Sequence, residues 1–224
     1  MAILLNIETA TTNCSVSVSK EGKTIALKED SRNGYSHAEK LHVFIDEMLT
    51  EASLKRNNID AIAVSKGPGS YTGLRIGVSA AKGLSFALNK PLISVPTLEA
   101  LAQQVHCENG IIVAMLDARR MEVYSAIYDS KYNVIRETQA QILNENSFSE
   151  YLGKQKVYFI GNGVEKTKEL IRHPNAVFIE DKLPSANEMS VLAYNKYKIS
   201  DIEDVAYFEP YYLKDFVALK PKNS

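Results

Sequence analysis

The residues that invite a chemical reading are few and widely spaced. The run Gly67-Pro68-Gly69-Ser70-Tyr71-Thr72-Gly73 lies between an apolar segment and a helix-like one, a setting in which exposed N–H groups hold a phosphate. It lacks the Lys-Ser/Thr pair of a P-loop, and the residues after Gly67 and Gly69 do not have the dinucleotide-fingerprint spacing. We therefore read Gly67, Gly69 and Gly73 as a structural turn around Pro68, with Gly73 and Gly77 letting the helix lie close to its neighbours. Glu8 and Asp117 each end an apolar run, as Mg²⁺- and phosphate-side acids do, and as ordinary polar strand ends also do. Gly161-Asn162-Gly163 is a second strand-to-helix turn, which makes Gly161 and Gly163 further candidates for nucleotide contact. Arg119 and Arg120, beside Asp117, suit an acidic ligand or an RNA phosphate, or a solvated hairpin. His37 and His42 fall about 140° apart on a helix and do not converge on a metal. His106 and His173 have no ligand-like neighbours, and Cys14 and Cys107 form no Cys-x-x-Cys. The expectation is no catalytic set, no metal and no cofactor.

A framework of strands and helices has to hold these residues in place. The chain has 224 residues, 26 Lys+Arg against 27 Asp+Glu, a net charge of −1 and 45% hydrophobic residues. That is ordinary globular composition and excludes an autonomous nucleic-acid binder. The longest apolar stretch, 111–116, is far below the roughly 18–20 residues of a membrane span. The opening residues reach Asn6 and Glu8 without a basic n-region or an apolar h-region, so a cytoplasmic protein is expected.

Strands are expected at 3–7, 14–19 and 24–29, then a helix over 36–53 whose Leu41, Phe44, Ile45, Met48, Leu49 and Ala52 share one side, with Ser36 and Glu39 as a capping box. A strand at 61–65, the glycine run, a helix to Leu88, a strand at 92–95 and a helix over 97–105 come next. After Asn109-Gly110 the pattern begins again, with strands at 111–116, 122–128 and 133–137. Placing Glu8 on Asp117 also puts Cys14 on Val123, Val18 on Ile127 and Ile25 on Val134, the mark of a duplication or of two meanders that slide into register. A strand at 157–160, a helix over 164–172, a strand at 177–180 and a helix over 186–197 complete the pattern. The fold expected is α/β and two-lobed, each lobe a mixed sheet opening with a three-strand meander and flanked by helices. The first lobe takes 1–106, the second 107–200, and the segment 201–224 packs back on the first, with 220–224 frayed.

The helix after the glycine run is apolar on two sides. Leu74, Gly77, Val78, Ala81, Leu84 and Leu88 form one face, and Ile76, Ala80, Gly83 and Ala87 a second, with Arg75, Ser79, Lys82 and Asn89 marking a polar wedge that Phe86 interrupts and Ser85 edges. The second face is short enough for another helix to approach closely, either within the chain or on a protein partner.

Two lobes that each end a first strand on an acid resemble the actin, Hsp70 and sugar-kinase type of ATPase fold, which is ribonuclease H-like. The runs Leu4-Leu5-Asn6-Ile7-Glu8-Thr9, Gly67 through Gly77, Pro96-Thr97-Leu98-Glu99-Ala100-Leu101, Asp117-Ala118-Arg119-Arg120-Met121-Glu122-Val123-Tyr124 and Pro210-Tyr211-Tyr212-Leu213-Lys214 carry the resemblance further. Over nearly the whole chain they resemble the bacterial tRNA threonylcarbamoyladenosine biosynthesis family, in its non-catalytic branch. Where the catalytic paralogue TsaD carries an H-x-x-x-H metal motif, this chain has Thr97 and Leu101. The resemblance implies a non-enzymatic scaffold that pairs with TsaD, is joined by the ATPase TsaE, meets tRNA through the complex and forms a homodimer when isolated. In that system TsaD transfers threonylcarbamoyl to N6 of the adenosine beside the anticodon in tRNAs reading A-starting codons. The face Ile76, Ala80, Gly83 and Ala87 is then the expected interface. A small-molecule kinase or ATPase using Glu8 and Asp117, and a glycoprotease-like hydrolase, are the competing readings.

Overall fold

The computed structural model describes residues 1–31 and 36–214. It contains strands β1 (Ile3–Glu8), β2 (Cys14–Lys20), β3 (Lys23–Asp30), β4 (Ala61–Gly67) and β5 (Leu92–Pro96), with helices α1 (His37–Glu51), α2 (Tyr71–Leu88) and α3 (Thr97–Ala102). The second half supplies β6 (Ile111–Asp117), β7 (Glu122–Asp129), β8 (Val134–Ile142), α4 (Ser149–Leu152), β9 (Val157–Ile160), α5 (Val164–Leu170), β10 (Ala176–Ile179) and α6 (Ala186–Lys198). Two five-stranded sheets result, ordered β3-β2-β1-β4-β5 and β8-β7-β6-β9-β10. Each has an antiparallel meander on one side and parallel strands on the other. This is the expected two-lobed α/β arrangement, with Glu8 and Asp117 each ending the central strand of a sheet, but the 109-residue register does not carry through. Glu8 pairs with Ser15 and Asp117 with Val123, so with Glu8 set on Asp117 it is Ser15, not Cys14, that falls on Val123, and Val18 falls on Ala126, not Ile127.

Period-two patterning places the cores. Leu5, Ile7, Val16, Val18, Ile62 and Val64 pack under α1 and α2, while Leu4, Ala61, Ala63, Ile93 and Val95 lie on the opposite side with Met189 and Ala193 of α6. Burial of this aliphatic surface stabilises the lobe at about 25 cal/mol per Å² removed from water.

The helices do not keep to the halves of the chain in which they arise. The sequence boundary at residue 200 put α6 in the second lobe, but α6 covers the first sheet. Ser15, Ser17 and Ser19 alternate with apolar residues as if facing water, yet all are fully buried. Their hydroxyls need partners once dry, and α6 supplies them. Ser17 Oγ donates to Ala186 O at 2.8 Å, Ala186 N donates to Ser15 Oγ at 2.9 Å, and Asn6 Nδ2 donates to Ser17, Ser19 and Ser190 hydroxyls at 3.0, 3.1 and 3.3 Å. In the other direction, Leu98, Leu101, Ala102 and Val105 of the α3 region join Ile112, Ala114, Leu116 and Ile160 of the second sheet.

Several local expectations are corrected. Ser36 precedes α1 without a side-chain cap, because its backbone oxygen, not its hydroxyl, accepts from Glu39 N and Lys40 N at 3.2 and 3.1 Å. The third strand of the second meander runs through Ile142, beyond the expected 137, since it stays paired with β7 to Glu122. The short α4 carried no period to reveal it. Residues 220–224 lie outside the described residues.

Candidate nucleotide cleft and partner face

The turn after β1 holds Glu8, one of the two acids that the sequence offered as phosphate-side candidates. Glu8 is fully buried there; its Oε1 accepts from Ala10 N at 2.6 Å and Ser65 Oγ at 2.9 Å, while Oε2 has no hydrogen-bond partner. Burial pushes the Glu8 carboxyl up to about 7, with the Ala10 and Ser65 hydrogen bonds opposing the rise.

The glycine run closes over this turn. Ser70 N donates to Ala10 O at 2.6 Å, and Thr9 Oγ1 donates to Gly73 O at 2.8 Å. A Cβ at Gly69 would lie 2.4 Å from Ala10 O, one at Gly73 2.1 Å from Thr9 O, and one at Gly77 2.2 Å from Thr9 Oγ1. Gly67 has φ +111°, and a Cβ there would sit 2.7 Å from Tyr211 O. Ser70 caps α2, its Oγ accepting from Gly73 N at 3.3 Å. The loop's close contacts are thus with the first hairpin and with Tyr211. Thr9 and Ala10 carry no sequence signal for this role, because their partners are distant along the chain.

Asp117 ends the central strand of the second sheet, in the opposite environment. It is exposed, its Oδ1 accepts from Arg119 N at 2.5 Å, and Lys166 Nζ stands 3.1 Å from the same oxygen. Asn162 Oδ1 accepts from Asp117 N at 2.8 Å. Gly161 has φ +110° and backs onto Met115 O at 2.1 Å from a built Cβ; Gly163 backs onto Val123 at 2.9 Å. These glycines let their turn approach β6 and β7 closely, while the polar contacts of Glu8 lie within the first lobe and those of Asp117 within the second. Lys166, which ties Asp117 to the turn, escaped the sequence reading for lack of any local motif. Thr97 and Leu101 are both fully buried: Thr97 Oγ1 accepts from Gly67 N at 3.1 Å, and Leu101 packs into the second-lobe core toward Gly161. Among the described residues no group of three or more His, Cys, Asp and Glu side chains gathers as metal ligands, and no helix is long and apolar enough to cross a membrane.

The second face of α2 is open only at its C-terminal end, where Gly83 and Ala87 are exposed, while Ile76 and Ala80 pack against the first core. Gly77, Val78, Ala81 and Ser85 point into the core, so Ser85, read as an edge residue, is 1% exposed. Ile76 and Ala80 are half-buried, Gly83 and Ala87 exposed, and a Cβ at Gly83 meets nothing within 4 Å. His42 of α1 and Arg75, Ile76, Ser79, Ala80, Gly83 and Leu84 of α2 line a groove of about 560 Å³. Arg75 stacks 3.9 Å from the Tyr71 ring and donates to Tyr212 Oη at 3.2 Å, framing one end of the face.

Comparison with known proteins places this geometry in context. The family model of TsaD, tRNA N6-adenosine threonylcarbamoyltransferase, matches residues 32–222. The tRNA threonylcarbamoyladenosine biosynthesis protein TsaB of Escherichia coli K12 is 32% identical, the match covering 97% of this chain and 96% of that one. Among solved structures, YeaZ from Pseudomonas aeruginosa superposes with a TM-score of 0.82 at 28% identity, covering 95% of this chain and all of that one. A protein described as similar to peptidase YeaZ, also from P. aeruginosa, gives 0.84 at 27% identity, covering 96% and 100%.

Proposed function

The chain belongs to the TsaB family of tRNA threonylcarbamoyladenosine biosynthesis proteins, within the wider TsaD family, and from that premise we propose that it is the non-catalytic partner of a TsaD-type transferase. The observation that supports this reading is the groove between α1 and α2, where Gly83 and Ala87 are exposed, a Cβ at Gly83 meets nothing within 4 Å, and the half-buried Ile76 and Ala80 form the floor. Helices pack at 8–10 Å where side chains are short, so α1 and α2 with a matching helix pair make a four-helix contact. The buried Glu8 and the hairpin-bound glycine run support a scaffold over a kinase or ATPase, because Glu8 Oε1 and the Gly67, Ser70 and Gly73 amides are engaged within the protein.

In this reading TsaD performs the threonylcarbamoyl transfer to N6 of the adenosine beside the anticodon, TsaE joins the assembled pair, and tRNA is met through the complex, in the cytoplasm. The isolated chain covers the same apolar face with a second copy, an isologous contact.

Gly83→Arg is the test. A guanidinium at this open position leaves the fold intact but holds a partner helix away or is buried unpaired. Partner capture by TsaD, the homodimer in sedimentation, and tRNA modification by the reconstituted system should all be lost. A folded Gly83→Arg chain that binds TsaD with wild-type affinity places the interface elsewhere.

A further inference from the structure

The turn joining β6 to β7 holds two consecutive non-glycine residues in the left-handed region, Arg119 at φ 69° and Arg120 at φ 48°. Among the described residues no other two adjacent non-glycine residues share that conformation. A Cβ is disfavoured there, and asparagine or glycine closes such turns with less strain. The conformation is nonetheless braced on several sides. Glu122 N donates to Arg119 O at 3.2 Å, and Lys166 Nζ donates to Arg120 O and Glu122 O at 2.6 and 2.9 Å. The Lys166 side chain is only 13% exposed and also pairs with Asp117. Both arginine side chains are exposed, and among the described residues neither has a hydrogen-bond or ion-pair partner. The two nearby acids are already matched, Asp117 by Lys166 and Glu122 by Lys214. Two guanidinium charges therefore stand unneutralised on a chain of net charge −1.

Residues held in sparsely populated backbone conformations by their surroundings cluster at functional sites. We propose that this turn is an RNA contact, in which Arg119 and Arg120 grip phosphodiester oxygens of the tRNA handled by the assembled complex. The planar fork of arginine suits phosphate oxygens, and such contacts position a nucleic acid without reading its sequence. This proposal rests on the reading of the chain as the partner of a TsaD-type transferase.

The test pairs Arg119→Asn with Arg120→Gly in one chain and compares it with wild type and with Arg119→Lys/Arg120→Lys. The probes are thermal unfolding of the isolated chain, affinity for TsaD, and binding of an unmodified transcript of a tRNA reading A-starting codons across a salt series. The Asn/Gly chain should melt higher, since strain is relieved, and bind TsaD unchanged. Its complex should bind the tRNA about tenfold more weakly at low salt, with a log-affinity against log-salt slope smaller by about 1–2. The Lys/Lys chain should keep most of the wild-type slope. Unchanged tRNA affinity and slope in the Asn/Gly complex overturn the proposal, as does loss of TsaD binding, which makes the turn a protein contact. If wild-type chain and TsaD form no complex, the proposed function falls and takes this inference with it.

Discussion

Glu8 holds a carboxyl where no water reaches it, with one oxygen bonded to Ala10 N and Ser65 Oγ and the other without a partner. Its charged form is disfavoured by burial, which pushes it from 4.5 to about 7. Between those values the folded chain keeps a proton that the unfolded chain has released, so this group's contribution to stability is full below pH 4.5 and lost as pH rises toward 7. At roughly 1.4 kcal/mol per pH unit the loss amounts to about 3 kcal/mol. Glu8→Gln keeps an acceptor for Ala10 and Ser65 without a charge to bury. Denaturant unfolding at pH 5 and pH 8 should show the wild type losing about 2–3 kcal/mol more than this variant between the two, most of the full linkage; equal losses mean that Glu8 ionises without penalty.

The glycines of α2 do different work along one helix. A helix-interior Gly→Ala change ordinarily stabilises by roughly 0.5–1 kcal/mol, because the unfolded chain loses freedom. At Gly83 nothing opposes that gain, and Gly83→Ala should raise the melting temperature of the isolated chain by a few degrees. At Gly73 the new Cβ would stand 2.1 Å from the backbone oxygen of Thr9. That oxygen belongs to the hairpin the helix packs against and cannot swing aside, so the sign reverses. Gly73→Ala should destabilise by about 2 kcal/mol or more, and calorimetry of the two variants side by side checks the contrast. A Gly73→Ala chain that melts with the wild type would show that the helix sits away from the first hairpin.

Over the whole molecule the two lobes share their covering layers. α3 leaves the first half of the chain to join the second core, and α6 returns to cover the first sheet. The segment after α6 continues along the first lobe. Glu203 bridges to Leu92 on β5, Lys82 Nζ donates to Ala206 O and Phe208 O at 3.2 and 2.8 Å, and Tyr211 N donates to Lys66 O at 2.7 Å. Val205 and Phe208 pack on the first core, and Lys214 then pairs with Glu122 of the second lobe. Ending the chain after residue 200 removes these contacts and bares the β5 edge, a template for pairing with other chains. The shortened chain should melt several degrees lower and form larger species in light scattering; a shortened chain with wild-type melting behaviour would mean that the segment only rests on the surface.

Strand and helix periods, the turn chemistry around Pro68 and the repeated meander fixed most elements from local pattern alone, since each depends on neighbours a few residues away. Leu5 and Ile7 against Leu4, or Leu41 and Ile45 on one helix side, announce their faces by spacing. The second apolar face of α2 was legible too, because Ile76, Ala80, Gly83 and Ala87 need no partner to be counted. That Gly83 and Ala87 of this face stay open while Ile76 and Ala80 pack on the core, that Ser15, Ser17 and Ser19 lie dry beneath α6, and that Glu8 is sealed while Asp117 remains wet depend on segments far apart in the chain. Tertiary structure alone decided them, for burial and hydrogen-bond partnership belong to the packed arrangement, and residues alike in type acquire different chemistry from what is folded over them.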